Sequence, residues 1–192
     1  MNNPTQAHLG LAKHVLKYLK GTVSKGLTFT KPKEKLRLTG FCVSDWRGSA
    51  DRRSITGYCF FLHKNGPLIS WRSTKQRVVA LSSCEAEYVV FTHAFQEAKF
   101  LHQLYADITG YTTSGVRLYA DNQGAIALAK NPVHPQRTKH IDIRYHFIRF
   151  DLEEGIIDLT YIPSGENVAD LFTKPLSGPK LATFAMIHGP RV

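Results

Sequence analysis

The order of the predicted elements constrains the fold of this chain more than any single motif does. Beyond residue 33 three strands come first, over residues 36–44, 55–63 and 68–73, and Asn65-Gly66 between the last two is a strong hairpin signal. A long helix over 83–108 follows. The remaining elements are a strand over 116–120, helices over 122–130 and 141–154, a strand over 157–162 and a short helix over 167–173. This order predicts an α/β domain with a mixed sheet and helices on its faces.

A charged segment broken by Pro32 divides the chain near residue 33. The part before it contains a predicted helix over 8–20 and a short strand over 26–30, which is too little to hold a core of its own. We therefore expect residues 1–33 to be the tail of a domain that lies upstream in a longer parent protein. Residues 34–176 then form the α/β domain, and residues 177–192 are a C-terminal tail.

Composition limits the class of protein. The 192 residues carry a formal net charge of +10, which favours an anionic partner such as nucleic acid; a basic surface kept for solubility is the alternative. No apolar run approaches the roughly 20 residues of a membrane helix, and no secretory signal opens the chain. The three cysteines are odd in number and lack metal-site spacing, which indicates reduced thiols in an intracellular protein.

Two glutamates at the start of the long helix have different expected roles. Ser82 and Glu85 fit the S-x-x-E capping box, so Glu85 has a local structural role. Glu87 instead heads the apolar stripe of the helix, where a carboxylate is costly unless a cation compensates it. The alternative for Glu87 is simple complementarity with the positive helix end.

Two aspartates occupy comparable positions later in the chain. Asp121 follows the strand over 116–120, at the carboxyl end where ligand sites of α/β sheets lie, although it could also be a plain N-cap. Asp170 lies in the first turn of the last short helix, where complementarity with the helix dipole is the alternative. Together with Glu87, these aspartates form the kind of oxygen-ligand set that holds divalent cations.

A basic segment over 134–149 interleaves cations with aromatic residues, a pattern typical of nucleic-acid contact. A catalytic or metal-binding role of His140 is the alternative there. A smaller basic patch follows the third strand, and Asn122 could contact sugar or phosphate. The expected nucleic-acid-binding residues are Lys75, Gln76, Asn122, Arg137, Lys139, His140 and Arg144.

Six ordered segments resemble the ribonuclease H domain of copia-type LTR retrotransposon Pol polyproteins. They are residues 51–58 (DRRSITGY), 69–76 (ISWRSTKQ), 80–88 (ALSSCEAEY), 121–126 (DNQGAI), 137–146 (RTKHIDIRYH) and 169–176 (ADLFTKPL). Residues 3–22 resemble the end of the family's reverse transcriptase, which is the upstream domain expected above. The likeness covers nearly the whole chain.

The resemblance implies a ribonuclease H-like fold, with a five-stranded mixed sheet flanked by helices. It also implies hydrolysis of the RNA strand of an RNA/DNA hybrid by two Mg²⁺ or Mn²⁺ ions that four carboxylates hold. Matched to the family's motifs, the helix acid is Glu87, the strand-end acid is Asp121 and the late-helix acid is Asp170. A cytoplasmic location, within virus-like particles of the parent element, is implied as well.

The fourth acid is missing from the position where the resemblance places it. Family members usually read Gly-Tyr-Ser-Asp-Ala-Asp-Trp, whereas residues 40–46 read Gly-Phe-Cys-Val-Ser-Asp-Trp, so Val43 replaces the metal-binding aspartate. Asp45 is a possible substitute on the same strand face, but it lies roughly 6.6 Å further along an extended chain. A metal–oxygen bond of about 2.1 Å does not tolerate that displacement without a bend in the strand.

Three functions remain compatible with the sequence. The first is an active hybrid-cutting nuclease whose metal shell is completed by Asp45 or water. The second is a ribonuclease H-like module that binds hybrid and cuts poorly or not at all. The third is a decayed fragment of an element. The missing acid favours impaired cleavage.

Overall fold

A five-stranded sheet with the order β3-β2-β1-β4-β5 organises the molecule. The structure is a computed structural model that describes residues 3–29, 36–46, 48, 51–131 and 139–188, with the backbone alone described for 139–145 and 185–188. The strands are β1 (Thr39–Asp45), β2 (Ile55–Phe61), β3 (Leu68–Lys75), β4 (Val116–Ala120) and β5 (Ile157–Tyr161). The α-helices are α1 (Gln6–Gly21), α2 (Ser83–Thr109), α3 (Gln123–Lys130), α4 (Lys139–Glu153) and α5 (Gly178–His188).

The sheet is mixed, as the sequence predicts. β1 pairs with β2 and β2 with β3 in antiparallel register, while β4 pairs in parallel with both β1 and β5. Asn65, in the loop between β2 and β3, has a positive φ of 61°. Because β1 and β4 run in parallel, their carboxyl ends meet at one edge of the sheet.

The two faces of the sheet have separate cores. Even-numbered residues of β1 and β2, such as Cys42 and Phe60, pack against α2 in the larger cluster. Odd-numbered residues, such as Phe41 and Phe61, lie in a second cluster with Phe184 of α5. Side chains alternate between the faces of a strand, so neighbouring residues of β1 serve different cores. Cys42 and Cys59 are buried, Cys84 is partly buried, and none of the three forms a disulfide.

The predicted short helix over 167–173 is a 3-10 helix, Val168–Phe172, which packs on the second face of the sheet. Asn167 caps it by accepting a hydrogen bond from the Ala169 amide at 3.2 Å, and its Nδ2 donates to the Cys42 carbonyl of β1 at 3.0 Å. Gly57 of β2 permits the close approach. A Cβ at Gly57 would lie 2.5 Å from a Thr173 methyl carbon and 3.0 Å from the Ala169 carbonyl oxygen.

The chain termini differ from expectation in two places. Residues 26–29 form no strand, and Thr30 lies outside the described residues. These residues are exposed and pair with none of the described strands. Residues 178–188, for which no element is predicted, form α5, and its Phe184 is buried. No helix within the described ranges is long and apolar enough to cross a membrane.

Gly57→Ala is expected to lower the free energy of unfolding by about 1–3 kcal/mol, because the added methyl group pushes the 3-10 helix away from β2. Urea denaturation followed by circular dichroism measures the change. Gly10→Ala in α1 is the matched control, since a Cβ there meets nothing within 4 Å. Equal stability of the two variants would show that the close contact at Gly57 is not required.

Candidate metal and nucleic-acid site

Glu87 joins the long helix to the end of the first strand. Its Oε1 accepts a hydrogen bond of 2.6 Å from the backbone amide of Ser44, and the side chain is only 4% exposed. Its other oxygen, Oε2, is buried and accepts no hydrogen bond from the described residues. The predicted apolar stripe below it is present, with Phe91, Ala94 and Ala98 fully buried. A carboxylate at this position needs a compensating charge or a proton.

The neighbouring charges show that the predicted acids converge. Burial raises the pKa of Glu87 well above its ordinary value, the Ser44 amide opposes the rise, and the Asp121 and Asp170 carboxylates raise the pKa further. Burial likewise raises the pKa of the Cys42 thiol, and Glu87 and Asp121 add to that rise. Asp121 and Asp170, which are distant from Glu87 in sequence, therefore both lie close enough to act on it at the carboxyl end of β1.

Glu85 and Glu87 differ as predicted. The Ser82 hydroxyl accepts from the Glu85 amide at 3.1 Å, and Glu85 Oε2 accepts from the Leu81 amide at 2.7 Å. Glu85 thus closes the helix start, one residue further back than an ideal capping box requires. Glu87 takes no part in this cap.

Asp121 is not the N-cap of α3. Asn122 holds that position, and its Oδ1 accepts from the Ala125 amide at 2.9 Å. The alternative role proposed for Asp121 from the sequence is therefore wrong, because the helix begins one residue later than an Asp121 cap requires. Asp121 is left at the strand end with its carboxylate outside the cap. Asn122, a predicted nucleic-acid contact, uses its carbonyl oxygen within the fold.

Asp170 is 1% exposed and carries two ion pairs. Lys174 Nζ lies 2.8 Å from its Oδ1, and Lys180 Nζ of α5 lies 2.8 Å from its Oδ2. Two cations therefore offset the cost of burying this carboxylate. Lys174 also opposes the rise in the pKa of Glu87.

Val43 lies where the family resemblance places the first acid. It is 5% exposed and belongs to the second core cluster, together with Val168 and Ala169 beside Asp170. Asp45 is partly buried, and its carboxylate folds over the following loop, with Oδ2 2.0 Å from the point where Gly48 would carry a Cβ. In this conformation Asp45 faces the loop rather than Glu87.

The acids near Glu87 are not arranged as a ready metal site. The buried Glu87 Oε2 accepts no hydrogen bond from the described residues, and Asp121 and Asp170 raise the pKa of Glu87, so a cation close to Glu87 would be favourable. Val43 supplies no oxygen to bridge a pair of cations, and Asp170 is already paired with lysines. As they stand, the described residues contain no group of three His, Cys, Asp or Glu side chains that could hold a metal ion.

The structure describes the side chains of only some of the predicted nucleic-acid-binding residues. Lys75 is exposed at the end of the edge strand β3 and pairs with Asp51 at 3.2 Å. The prediction for Gln76 is corrected: its Nε2 donates to Thr56 Oγ1 and the Ala86 carbonyl, so the amide is buried between β2 and α2. Arg137 lies outside the described residues. Lys139, His140 and Arg144 lie in α4, within the part described by its backbone alone.

The sequence analysis assigns no role to three residues of this site, which are Asn167, Lys174 and Lys180. The spacing of Lys174 four residues after Asp170 is a signal that could have found that pair. Asn167 could have been found as a cap before the last helix. Lys180 has no such signal, because its contact depends on how α5 returns to the domain.

Glu87→Gln is expected to raise the melting temperature in EDTA while keeping the hydrogen bond from the Ser44 amide. A raised pKa means that the native state binds the proton more tightly than the unfolded chain, so ionisation costs stability as pH rises above about 4.5. The gain from the substitution should therefore be small at pH 4 and grow towards pH 8. Thermal denaturation across this range measures it.

Glu85→Gln is the matched control at the same helix start. It should cost about 0.5–1 kcal/mol, because the helix start loses a charged cap. If both variants shift the melting temperature alike at every pH, the separate roles of the two glutamates are wrong.

The sequence of this chain is similar to those of known proteins. No family model matches the chain. The chain is 37% identical over 186 residues to the retrovirus-related Pol polyprotein from transposon RE1 of Arabidopsis thaliana, covering 96% of this chain and 12% of that protein. It is 38% identical over 175 residues to the corresponding protein from transposon TNT 1-94 of Nicotiana tabacum, covering 91% of this chain and 13% of that protein. The chain thus spans about an eighth of these relatives.

Solved structures of LC11-RNase H1, isolated from compost by a metagenomic approach, share the fold. One covers 71% of this chain and 92% of that protein with a TM-score of 0.54 at 13% identity. A second, in complex with an RNA/DNA hybrid, covers 71% and 94% with a TM-score of 0.52 at 14% identity. The five-stranded sheet thus shares its fold with these ribonuclease H structures, and the sequence is similar over most of its length to retrovirus-related Pol polyproteins of transposons.

Proposed function

We propose that this domain binds RNA/DNA hybrid and that Val43 leaves it with weak or no metal-dependent cleavage of the RNA strand. The observation that carries the proposal is the burial of Val43 in an apolar cluster beside Asp170, at the strand end that Glu87 caps. The convergence of Glu87, Asp121 and Asp170 supports descent from a nuclease site. Val43 stands where a carboxylate would complete that site.

The remaining acids suit one Mg²⁺ or Mn²⁺ ion, which would polarise a phosphate oxygen and water when bound. Glu87 is held in place by the Ser44 amide and directs its second oxygen into the site. Asp121 adds a carboxylate from the end of β4, free of the capping role that Asn122 takes. Asp170 would join after exchanging a lysine partner. We derive no hydrolytic step, because the residue at position 43 cannot bridge a second ion.

Hybrid binding is proposed from charge and from the fold. The formal net charge of +10 favours a polyanion, and the basic segment over 134–149 contributes four lysine or arginine residues. Lys75 adds an exposed cation at the end of β3. A solved ribonuclease H of the same fold is in complex with an RNA/DNA hybrid, which supports this class of partner. Contacts to RNA 2′-hydroxyls would separate hybrid from pure DNA.

We also propose that residues 1–33 continue a reverse transcriptase domain of the parent polyprotein, that residues 34–176 are the ribonuclease H-like unit and that 177–192 are its C-terminal extension. None of the residues of α1 is buried, and Leu9, Leu16 and Leu19 are exposed, which fits a helix whose packing partner is a further domain. The relatives' Pol polyproteins support this context, and an intracellular location follows from it.

Val43→Asp should raise Mn²⁺- or Mg²⁺-dependent cleavage of a labelled hybrid by about 10²-fold or more, the scale on which catalytic groups act. In EDTA the same variant should lose roughly 1–3 kcal/mol of stability, because a carboxylate replaces an apolar side chain in a buried cluster. Added cation should restore part of that loss. Cleavage gels and melts with and without Mn²⁺ measure both effects.

Val43→Asn is the control, since it matches aspartate in shape but carries no charge and should not gain activity. Hybrid cleavage by the natural protein that Asp45→Asn abolishes would contradict the proposal. That result would make Asp45 the fourth ligand after a bend in the strand end.

The basic segment can be tested by the salt dependence of hybrid affinity. Replacing Arg137, Lys139 and Arg144 together by alanine should reduce the slope of log affinity against log salt by about 2–3, because fewer counterions are released. Fluorescence anisotropy between 50 and 300 mM salt, roughly the range over which such slopes are resolved, gives the slope. Replacing Lys13, Lys17 and Lys20 of α1 removes the same charge and should change it less. An unchanged slope in the first variant would remove the segment from the interface.

A further inference from the structure

Trp71 is an exposed indole on an edge strand of the sheet. Its strand, β3, pairs with β2 alone. Trp71 is 59% exposed and makes no hydrogen bond, ion pair or ring contact with the described residues. A single exposed apolar side chain is ordinary on a protein surface, so its surroundings decide whether it has a function.

The register of the sheet places Trp71 at the end of a row that is otherwise buried. Trp71 lies opposite Cys59, and Cys59 lies opposite Phe41. Cys59 and Phe41 are buried in the second core cluster. Cross-strand partners share a face of the sheet, so the indole continues this row at the sheet edge, where it is left exposed.

A hydroxyl and an ammonium group follow Trp71 on the same face of β3. Alternate residues of a strand share a face, which puts Ser73 and Lys75 in line with Trp71 at steps of about 6.8 Å. Both are exposed, and the register puts Lys75 in the same row as Asp45 at the carboxyl end of β1. These three residues form the edge strip, which starts at the end of the sheet that carries Glu87.

The charge around the edge strip is positive. β3 and the loop after it contain Arg72, Lys75 and Arg77 and no acidic residue. Lys75 pairs with Asp51 at 3.2 Å, and Arg53 lies 3.9 Å from the same carboxylate. One carboxylate therefore faces two cations. Both partners of the Lys75 pair are about half exposed, and such a pair is weak enough for a phosphate group to replace it.

We propose that the edge strip binds a single-stranded segment of nucleic acid, with an unpaired base stacked on Trp71 and a phosphate held by Lys75. An indole face stacks on any base, and cations beside it follow the phosphate backbone. A base within a duplex is already stacked on its neighbours, so the strip takes the unpaired strand that continues beyond a duplex. This binding rests on the proposed function for its class of partner and adds a site outside the hybrid.

A protein segment is the other class of partner for an edge strand, because it can add a strand to the sheet. Charged side chains on an edge strand oppose such pairing. β3 carries Arg72 and Lys75, and a second copy of this chain has the same net charge of +10. Charge therefore favours a polyanion over a second copy.

The test uses the full chain and four proteins: the natural protein, Trp71→Ala, Trp71→Phe and Tyr111→Ala. Phenylalanine keeps an aromatic ring at position 71. Tyr111 is the matched control, because it is 75% exposed and follows the far end of the helix that begins beside Glu87. The probes are a blunt RNA/DNA hybrid, the same hybrid with a single-stranded DNA extension, and oligothymidylate. Fluorescence anisotropy in EDTA, which prevents cleavage, gives the affinities.

Tryptophan fluorescence supplies a readout that a merely structural role would not change. The chain has two tryptophans, so Trp71→Phe leaves Trp46 alone. A base stacked on an indole quenches its fluorescence. Oligothymidylate should therefore quench the natural protein and should have much less effect on Trp71→Phe.

Trp71→Ala is expected to bind oligothymidylate roughly 5- to 50-fold more weakly than the natural protein and to lose the preference for extended over blunt hybrid. Trp71→Phe should recover part of the affinity, and Tyr111→Ala should stay close to the natural protein. Unchanged oligothymidylate affinity in Trp71→Ala, or an equal loss in Tyr111→Ala, would overturn the site. Where Trp71→Ala does not fold, quenching that Trp71→Phe removes supports the site, and no quenching of the natural protein overturns it.

The blunt hybrid keeps the two proposals apart. Quenching by oligothymidylate without binding of blunt hybrid would sink the proposed function and support the edge strip. Binding of blunt hybrid with no quenching and no preference for the extended form would do the opposite. Self-association that Trp71→Ala abolishes, without binding of oligothymidylate, would assign the edge to a second copy and overturn the nucleic-acid site.

Discussion

Burial of negative charge at the end of β1 is the constraint on which this site depends. Glu87 and Asp170 are almost completely buried, and Asp121 acts on Glu87 from the next strand. Each acid is compensated differently: the Ser44 amide donates to Glu87, and two lysines pair with Asp170. At the junction of α2, β1 and the 3-10 helix, the Ser44 amide and the two lysines thus offset the free-energy cost of burying these carboxylates.

Val43 contributes apolar contacts and no carboxylate to this junction. Val43 shares its face of β1 with Phe41, and it packs against Val168 and Ala169 of the segment that carries Asp170. Val43, which cannot bind metal, therefore makes some of the contacts that hold Asp170 beside the sheet. An acid at position 43 would have to be balanced by cations, whereas valine adds apolar burial.

Periodicity and turn chemistry predicted most of the fold, because those signals are local. The β2–β3 hairpin, β4 and the apolar stripe of α2 follow from Asn65-Gly66 and from apolar spacing. Local signals failed where a contact depends on distant chain. Gln76 follows a strand in a basic stretch, yet it is buried by packing against Thr56 and Ala86. The sequence does not predict the ion pair of Lys180, because no periodic pattern indicates that α5 lies close to Asp170.

The charge balance connects the missing acid to the lysines. Four ionised carboxylates match the charge of two divalent cations, and this is the arrangement that the family resemblance implies. With valine at position 43 three carboxylates remain, and burial raises the pKa of Glu87, with Asp121 and Asp170 adding to the rise. Lys174 and Lys180 both pair with Asp170 and offset its charge. Part of the negative charge at this junction is thus neutralised by the chain's own cations.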